Sequence, residues 1–577
     1  MSRKSQQHRV RLVFSFFFIF YLFLAARLTG VQLFSHNVLR RIAASQHYPT
    51  LTLMARRGTI LDRGGKPLAL TYASDSLFAT ARQISDKGEL SAQLSRKLSV
   101  NRFFLLERLN RNKSFVWLKR KLPPPVSNEI KEMNLKGVDF VKETERVYPG
   151  EALASHVIGF VDIDNKGLEG IERFYDRYLS GESGLEQVLR DARRRALPSM
   201  DLKYRKPVDG TTLVLTLDQV IQHIAERELE KAYQRWNAKG GTVIVMDPSN
   251  GEILALANRP AFDLNAPASS SEEERRNRAI TDQFEPGSVF KMVTAACALQ
   301  EGIVKEEDKI FCENGNYPVA SRILHDAHPY GTLTFREVIQ KSSNIGTVKV
   351  AQKIGPEKLT QYIREFGFGQ KTGLDLPGEI PGVVRDPKHW SGSSIINIPI
   401  GQGVAVTEIQ LACAMGVIAN GGRWVKPHLF KTVLNSDGDV IKSYEAEPDR
   451  LVLQEGIAQR LREILVGAVE EGTGKLAKLE GYGSGGKTGT AQKVEPGGHY
   501  SQTKFVASFV GFAPAKNPRI VVAVMLDEPR PAHYGGVVAA PVFQEVASRA
   551  LRYLEVPPIE EGKTQVVLQS GEKQNSL

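Results

Sequence analysis

The chain has 577 residues, which exceeds one ordinary domain, and its 42% hydrophobic and 24% charged content is that of a globular protein with an ample core. A net charge of +12 raises the question of nucleic-acid binding, but the basic residues are dispersed apart from the run at 193–195, and no strip of interleaved aromatic residues accompanies them. We therefore predict two or three domains and no nucleic-acid partner, and we attribute the positive charge to work near an anionic membrane.

The chain opens with a basic segment followed by its one long apolar stretch, residues 12–26. Fifteen residues span only about 22 Å as a helix, less than a bilayer of about 30 Å, so a cleaved signal peptide is the alternative. Extension to Phe34 gives sufficient length, and no convincing cleavage site follows. We predict a cytoplasmic tail at 1–11, a single uncleaved transmembrane anchor at 12–34 in the inner (cytoplasmic) membrane, and the bulk of the chain on its outer, periplasmic side.

Residues 36–210 alternate short β-rich pieces with polar helices, punctuated by Pro123 to Pro125 and by Gly181 to Gly184. This region contains no catalytic constellation. We interpret it as an elongated pedestal that holds the following domain away from the membrane.

Residues 211–558 begin and end with strand patterns that flank a helical middle. Two hairpins are predicted, from strands at 242–246 with 252–257 and at 505–512 with 520–526, and an amphipathic helix is predicted at 541–554. One sheet then closes from distant segments, which predicts an α+β sandwich with a helical insertion. The last segment, 559–577, is polar and is predicted to be disordered.

Three short motifs follow one another in this domain. They are Ser288-Val289-Phe290-Lys291, Ser342-Ser343-Asn344 and Lys487-Thr488-Gly489-Thr490. A lysine three residues after a serine on a helix lies on the same face and can take the proton of the hydroxyl. The second motif adds a hydroxyl and an amide, and the third adds a cation on a strand edge. The set indicates an acyl-transfer site.

Ser-x-x-Lys alone is a weak signal, since it also occurs at Ser484, Ser501 and Ser570. Only Ser288 opens a run that is apolar nearly all round and ends at Gly302, which predicts a buried helix. An unperturbed lysine has a pKa of about 10.4, so a base near neutrality needs a decrease of roughly three units. Burial of Lys291 and repulsion from a nearby Lys487 would both lower this pKa. The alternative is that the three motifs have structural roles only. Ser288 would then be a helix N-cap, residues 342–344 a turn, and residues 485–490 a loop that enters a strand.

The motifs together resemble those of penicillin-binding transpeptidases and serine β-lactamases. Further segments resemble class B penicillin-binding proteins, and the likeness extends from the membrane segment to about residue 556. These segments are Arg57 to Gly65, Leu217-Asp218 with Gln222, Asp247 to Ala255, and Gly401-Gln402-Gly403. Phe284-Glu285-Pro286-Gly287 is more similar to the division-specific branch, of the FtsI type, than to the elongation branch.

The resemblance implies a role for each motif residue. Ser288 would form the acyl-enzyme, Lys291 would be its base, and Ser342 would shuttle the proton. The residues implied to bind substrate are Asn344, Lys487, Thr488, Gly489 and Thr490. The backbone N–H groups of Ser288 and Thr490 would form the oxyanion hole, and the pedestal would be a dimerisation-type domain.

The resemblance also implies ligands and partners. The expected substrates are peptidoglycan stem peptides ending in D-Ala-D-Ala, and β-lactams are the expected inhibitors. The expected partners are a glycan polymerase of the FtsW type and other divisome proteins. An elongation-type transpeptidase, a D,D-carboxypeptidase and a scaffold that has lost catalysis stay open. A β-lactamase is disfavoured by the lack of a Glu-x-x-Leu-Asn element between Ser342 and Lys487, and a β-lactam sensor by the lack of a His-Glu-x-x-His motif.

The three cysteines do not indicate a disulfide framework, because their number is odd and Cys297 and Cys413 lie in apolar runs. Cys312, His325 and His328 have ligand-like spacing, but a structural zinc site needs four ligands. We interpret these histidines as part of a surface loop and predict neither a metal nor a cofactor.

Overall fold

The fold comes from a computed structural model that describes residues 3–40, 50–111, 113, 115–187, 189–190, 196–197, 203–319, 322–447 and 450–558. The chain forms two compact units, one from residues 1–56 with 181–210 and one from residues 57–180 with 211–577. The predicted pedestal at 36–210 is therefore divided between the two units. The tail predicted at 559–577 lies outside the described residues.

The first unit contains the N-terminal helix. It runs from Arg3 to Thr29 and continues as a π-helical turn from Gly30 to Phe34, and its residues Gln6–Phe34 are long and apolar enough to cross a membrane. The unit also contains an antiparallel sheet of three strands in the order Thr50–Leu53, Gly184–Gln187, Tyr204–Arg205, and a strand pair Leu189–Arg190 with Ala196–Leu197.

The second unit contains a seven-stranded sheet that joins distant parts of the chain. Six of its strands lie in the order Val440–Ser443, Phe430–Leu434, Thr212–Leu215, Ile60–Leu61, Pro67–Ala79, Val116–Leu122, and Val138–Val147 also pairs with Pro67–Ala79. Leu213 and Val214 pair in parallel with Ile60 and Leu61, so the sheet crosses the boundary predicted between residues 210 and 211. That boundary remains a prediction from the sequence.

Short helices accompany this sheet on the N-terminal side of residue 181. They are Lys87–Leu98, Arg102–Asn110, Pro124–Glu132, Ser155–Ile158, Gly170–Phe174 and Asp176–Leu179. Leu90, Leu94 and Leu98 are buried at helical spacing, and they pack in one cluster with Leu77 and Leu118 of the sheet.

The central layer of the second unit is a five-stranded antiparallel sheet, which we call the core sheet. Its strands lie in the order Ile253–Arg259, Gly240–Met246, Ile520–Asp527, Tyr500–Ala513, Gly485–Val494. Every residue of Ile520–Asp527 is buried, as a central strand covered on both faces requires. The two predicted hairpins are present, and strands from both ends of the domain close one sheet with Gly485–Val494 at its edge.

Helices cover both faces of the core sheet and fill the insertion between its strands. They are Gln219–Arg235, Glu272–Arg275, Arg278–Thr281, Lys291–Gln300, Phe335–Gln340, Asn344–Ile354, Pro356–Glu365, Ser394–Asn397, Glu408–Ala419, Glu455–Glu470, Gly535–Val538 and Ala540–Tyr553. Strand pairs in the same region are Lys309–Phe311 with Thr332–Thr334, Asn316–Val319 with Arg322–His325, and Arg423–Trp424 with Arg450–Leu451.

The two helical layers have separate cores. Gln219–Arg235 and Ala540–Tyr553 pack on one face, where Leu229 and Phe543 share a cluster with Val524. The helix Lys291–Gln300 lies in the core on the other face, together with the fully apolar middle of Glu408–Ala419. The predicted α+β sandwich with a helical insertion is present, and the buried helix after Ser288 lies within it.

A buried ionic network joins the start of the second unit to the helix Gly170–Phe174. The carboxylate of Glu172 accepts from Arg57 Nε at 2.6 Å and from Arg146 Nε at 2.7 Å, and the side chains of all three residues are at most 1% exposed. Tyr148 donates its hydroxyl to the same carboxylate at 3.3 Å. Removal of one partner from such a network leaves buried charges without compensation.

We expect Glu172→Ala to lower the free energy of unfolding by about 3–5 kcal/mol, because two buried guanidinium groups lose their shared carboxylate. The measurement is the shift in the urea midpoint of the full-length protein. The control is Glu107→Ala, which removes an exposed ion pair with Arg111 and should change stability by less than about 1 kcal/mol. Equal midpoints for the two variants would contradict this expectation.

Candidate active site

Ser288 lies in a 3-10 turn, Gly287–Phe290, directly before the helix Lys291–Gln300. Gly287 has a φ of +54°, and a Cβ added to it would lie 2.9 Å from the carbonyl oxygen of Thr490. Its N–H donates to the carbonyl of Gly401 at 3.1 Å. The turn is therefore held between the edge strand of the core sheet and the Gly401 to Gly403 loop, and this contact leaves no room for a side chain at position 287.

The second motif lies in the turn between the helices Phe335–Gln340 and Asn344–Ile354. Ser342 has a φ of +60°, an uncommon conformation for a residue with a side chain. Asp326 fixes the turn, since its carboxylate accepts from the N–H of Asn344 at 2.5 Å, the N–H of Ile345 at 3.0 Å and the hydroxyl of Ser343 at 2.6 Å. Strain of this kind persists where surrounding contacts determine the conformation.

The third motif forms part of the edge strand Gly485–Val494. Thr488 shares a hydrogen bond of 2.8 Å with the hydroxyl of Thr473, and the hydroxyl of Thr490 accepts from the N–H of Gly535 at 3.1 Å. A Cβ added at Gly489 would lie 2.3 Å from Ser508 Oγ and 2.8 Å from the carbonyl of Pro286. Glycine at position 489 therefore lets the segment before Ser288 lie directly against the strand.

The side chains of the three motifs converge on the hydroxyl of Ser342. Lys487 Nζ lies 2.9 Å from this oxygen and Lys291 Nζ lies 3.2 Å from it. Lys291 Nζ also donates to the carbonyl of Ser342 at 2.6 Å and to Asn344 Oδ1 at 2.7 Å. Both lysines are fully buried. The structure thus brings Lys291, Ser342, Asn344 and Lys487 into direct contact.

Burial lowers the pKa of both lysines, and the charge of Lys487 lowers that of Lys291 further. Burial is the larger cause and the positive charge of Lys487 the second, and together they hold the pKa of Lys291 well below its usual range, although Asp326 acts in the opposite sense. Burial lowers the pKa of Lys487 to about 7. A neutral amine at Lys291 has two hydrogens and a lone pair, so it can donate to two acceptors and still take a proton.

Ser288 is close to this group in sequence but is not bonded to it. Among the described residues its hydroxyl makes no hydrogen bond, and Lys291 donates to Ser342 and Asn344 instead. Hydrogen bonds of nucleophiles are often long or absent before substrate binds. The hydroxyl of Ser288 is thus available to a ligand.

Two carboxylates that the sequence analysis did not assign to the site support it. Asp326 orders the second motif as described above. Glu285 accepts from the N–H of Gly403 at 2.7 Å and from the hydroxyl of Tyr500 at 3.3 Å, so it fastens the loop that holds Gly287. Glu285 lies only three residues before Ser288, so its supporting role could have been predicted from the sequence. The role of Asp326 depends on a hairpin that brings it to Asn344 from 18 residues away.

The residues with ligand-like spacing have other partners. His325 is on the strand Arg322–His325, where Nδ1 lies 2.8 Å from Asn316 Oδ1 and the carbonyl accepts from Asn344 Nδ2 at 2.8 Å. Cys312 is buried, and its Sγ lies 3.4 Å from Ser343 Oγ. Within the described ranges no group of three or more His, Cys, Asp or Glu could hold a metal ion.

Comparison with known proteins identifies the family of the chain. Residues 241–548 match the model of the penicillin binding protein transpeptidase domain, and residues 52–215 match that of the penicillin-binding protein dimerisation domain. The chain is 38% identical over 541 residues to the probable peptidoglycan D,D-transpeptidase PenA of Neisseria meningitidis, covering 93% of this chain and 91% of PenA. The chain belongs to the class B penicillin-binding proteins.

Other members of this family agree in sequence and in fold. The peptidoglycan D,D-transpeptidase FtsI of Escherichia coli is 31% identical over 545 residues, with 93% of this chain and 90% of FtsI covered. The fold is also similar to the crystal structure of penicillin-binding protein 3 of Mycobacterium tuberculosis complexed with ampicillin, with a TM-score of 0.70. The sequence identity is 30%, and the match covers 90% of this chain and 100% of the chain in that structure. The fold class expected from the resemblance is confirmed.

The positive charge of Lys487 contributes to the low pKa of Lys291, so its removal should raise that pKa. A lysine that acts as the base predicted from the sequence must be neutral, and the neutral fraction of Lys291 increases with pH. We expect the acid limb of the rate of acylation by a β-lactam, measured against pH, to move to higher pH in Lys487→Met. A limb that stays in place or moves to lower pH would contradict the assigned repulsion. Lys353→Met, a lysine elsewhere on the helix Asn344–Ile354, is the control.

Proposed function

We propose that this class B penicillin-binding protein, a D,D-transpeptidase, cross-links stem peptides through an acyl-enzyme on Ser288. The observation that carries the proposal is the pair of buried lysines whose amines both lie within 3.2 Å of the hydroxyl of Ser342. This arrangement supplies a neutral amine as base, a hydroxyl relay and a cation in one place. The names of the relatives, peptidoglycan D,D-transpeptidases, supply the substrate class.

The proposed acylation begins at the carbonyl carbon of the penultimate D-alanine. Ser288 Oγ bonds to this carbon while its proton passes to the neutral amine of Lys291. The proton then passes through the hydroxyl of Ser342 to the amine of the terminal D-alanine, and the peptide C–N bond breaks. The backbone N–H groups of Ser288 and Thr490 stabilise the oxyanion, because the Ser288 turn lies against the strand at Thr490.

The second half of the reaction reverses these proton transfers. An amine of a neighbouring stem attacks the acyl carbon, its proton returns to Ser288 Oγ through the same relay, and the ester bond breaks as the new amide forms. Asn344 is already oriented, since Oδ1 accepts from Lys291 and Nδ2 donates to the carbonyl of His325. One N–H of its amide remains for a carbonyl of the substrate. Lys487, with Thr488 and Thr490, binds the terminal carboxylate.

We place the activity at the division septum. The support is the Phe284-Glu285-Pro286-Gly287 segment and the similarity to FtsI, and the glycan polymerase of the FtsW type and other divisome proteins are the proposed partners. β-Lactams would acylate Ser288 as inhibitors. This accords with the similarity to a penicillin-binding protein 3 whose structures contain ampicillin and aztreonam.

We also propose that the N-terminal helix is a single-pass anchor in the cytoplasmic membrane. Its length and apolar composition support this role, and the basic residues Arg3, Lys4, Arg9 and Arg11 support a cytoplasmic N-terminus. The residues from 36 onward, including the transpeptidase domain, would then lie on the outer side of this membrane.

A fluorescent penicillin followed by peptide mapping tests the acyl-enzyme. We expect the adduct on Ser288, no adduct in Ser288→Ala, and a decrease in acylation rate of about 100-fold or more in Lys291→Arg, because an arginine stays charged and cannot take the proton. An adduct on another residue would overturn the assignment of the nucleophile. An arginine variant that reacts at the rate of the unmodified protein would overturn the assignment of the base.

Deletion of residues 1–34 tests the anchor separately. We expect the shortened protein to move from the membrane fraction to the soluble fraction of cells, while Ser288 still reacts with the fluorescent penicillin. Replacement of the segment with an unrelated transmembrane helix should restore the membrane fraction. A shortened protein that stays in the membrane fraction would show that other residues hold it there.

A further inference from the structure

An aromatic cavity lies beside the outer strand of the seven-stranded sheet, away from the three motifs in sequence. Its volume is about 280 Å³. The aromatic and charged residues that line it are Tyr175, Tyr178, Phe430, Tyr444, Lys442 and Glu445. We call this space the aromatic cavity.

The rings of the aromatic cavity are held in place by contacts behind them. Tyr175 donates its hydroxyl to Asp375 at 2.9 Å, and that carboxylate also accepts from the backbone N–H groups of Leu429 and Phe430. The ring centroids of Tyr175 and Phe430 are 5.5 Å apart. Tyr444 is stacked on His428 at a centroid distance of 3.5 Å. The cavity walls are therefore fixed before any ligand arrives.

The rim of the aromatic cavity has polar groups that form no ion pair or side-chain hydrogen bond with the described part of the chain. Tyr178 is 37% exposed, and Lys442 Nζ lies 5.9 Å from the centre of its ring. Over the part of the chain that the structure describes, neither Lys442 nor Glu445 forms an ion pair, and the hydroxyl of Tyr178 has no hydrogen bond. Donors and acceptors thus surround a surface of aromatic faces.

This combination matches the chemistry of a sugar ring. Such a ring has a face of C–H groups that packs on an aromatic ring and a rim of hydroxyl and amide groups that hydrogen-bond to polar side chains. An apolar peptide segment would leave Lys442 and Glu445 without partners. A cationic ligand is disfavoured, because Lys442 already places a positive charge beside the ring of Tyr178.

We infer that the aromatic cavity binds a sugar of the peptidoglycan glycan strand and so holds the polymer from which the stem peptides extend. The inference rests on the proposed function for its choice of glycan, because the substrate of a peptidoglycan transpeptidase is carried on a chain of N-acetylated sugars. It adds a site that recognises the strand independently of the peptide. Binding there would increase the concentration of stems around the protein without a role in acylation.

The test uses the full-length protein in detergent micelles and glycan strands freed of peptides by an amidase. We expect Tyr178→Ala to weaken strand binding about fivefold, because it removes an aromatic face, whereas Tyr178→Phe keeps the ring and most of the affinity. Tyr72→Ala, at a tyrosine 54% exposed on the strand Pro67–Ala79, is the matched control and should bind like the unmodified protein. Lys442→Ala, an exposed substitution that spares the rings, should also weaken binding.

The same variants are then compared in catalysis. With polymeric strands as substrate, Tyr178→Ala should raise KM about fivefold and leave kcat unchanged, while labelling of Ser288 by fluorescent penicillin stays at its normal rate. The inference would be overturned if Tyr178→Ala, Lys442→Ala and the unmodified protein bound strands equally. The surface would then be open to another ligand, such as a protein partner. Failure of the proposed function would give a different result. Penicillin would then not label Ser288 in the unmodified protein, while strand binding would still be measurable.

Discussion

Two amines buried side by side are the constraint on which the site depends. Lys291 and Lys487 are fully buried, and both contact the hydroxyl of Ser342. Two charged ammonium groups so close together in a medium of low polarity repel strongly, so at least one of them is neutral near neutral pH. The rest of the fold must offset the cost of removing both amines from water, because it holds a helix, a turn and a strand edge together around them.

The three supports of the lysine pair come from distant parts of the chain. The apolar helix Lys291–Gln300 is fixed inside the core, and the strand that carries Lys487 is fixed by pairing along Tyr500–Ala513. The turn at Ser342 has a left-handed conformation, which Asp326 stabilises through three hydrogen bonds. Each support is rigid, so the distances at the Ser342 hydroxyl follow from packing and not from the flexible lysine side chains alone.

Much of the site could be predicted from the sequence because its signals are local. The apolar run after Ser288 predicts a buried helix, and the hairpin patterns at both ends of the domain predict a shared sheet with Lys487 at its edge. The seven-stranded sheet could not be predicted this way, since Thr212–Leu215 pairs both with Ile60–Leu61 and with Phe430–Leu434. The sequence of a strand does not show locally which distant segment it pairs with.

The lysine pair also suggests how an anionic substrate prepares its own site. Groups this close titrate as a pair, so the question is which amine keeps the shared proton. In the proposed function the terminal carboxylate of the substrate binds beside Lys487, and its negative charge favours the proton on that amine. Lys291, whose pKa is held well below its usual range, is then the neutral member of the pair. Binding and activation of the base are thus one electrostatic event, and a ligand without the carboxylate would lose both.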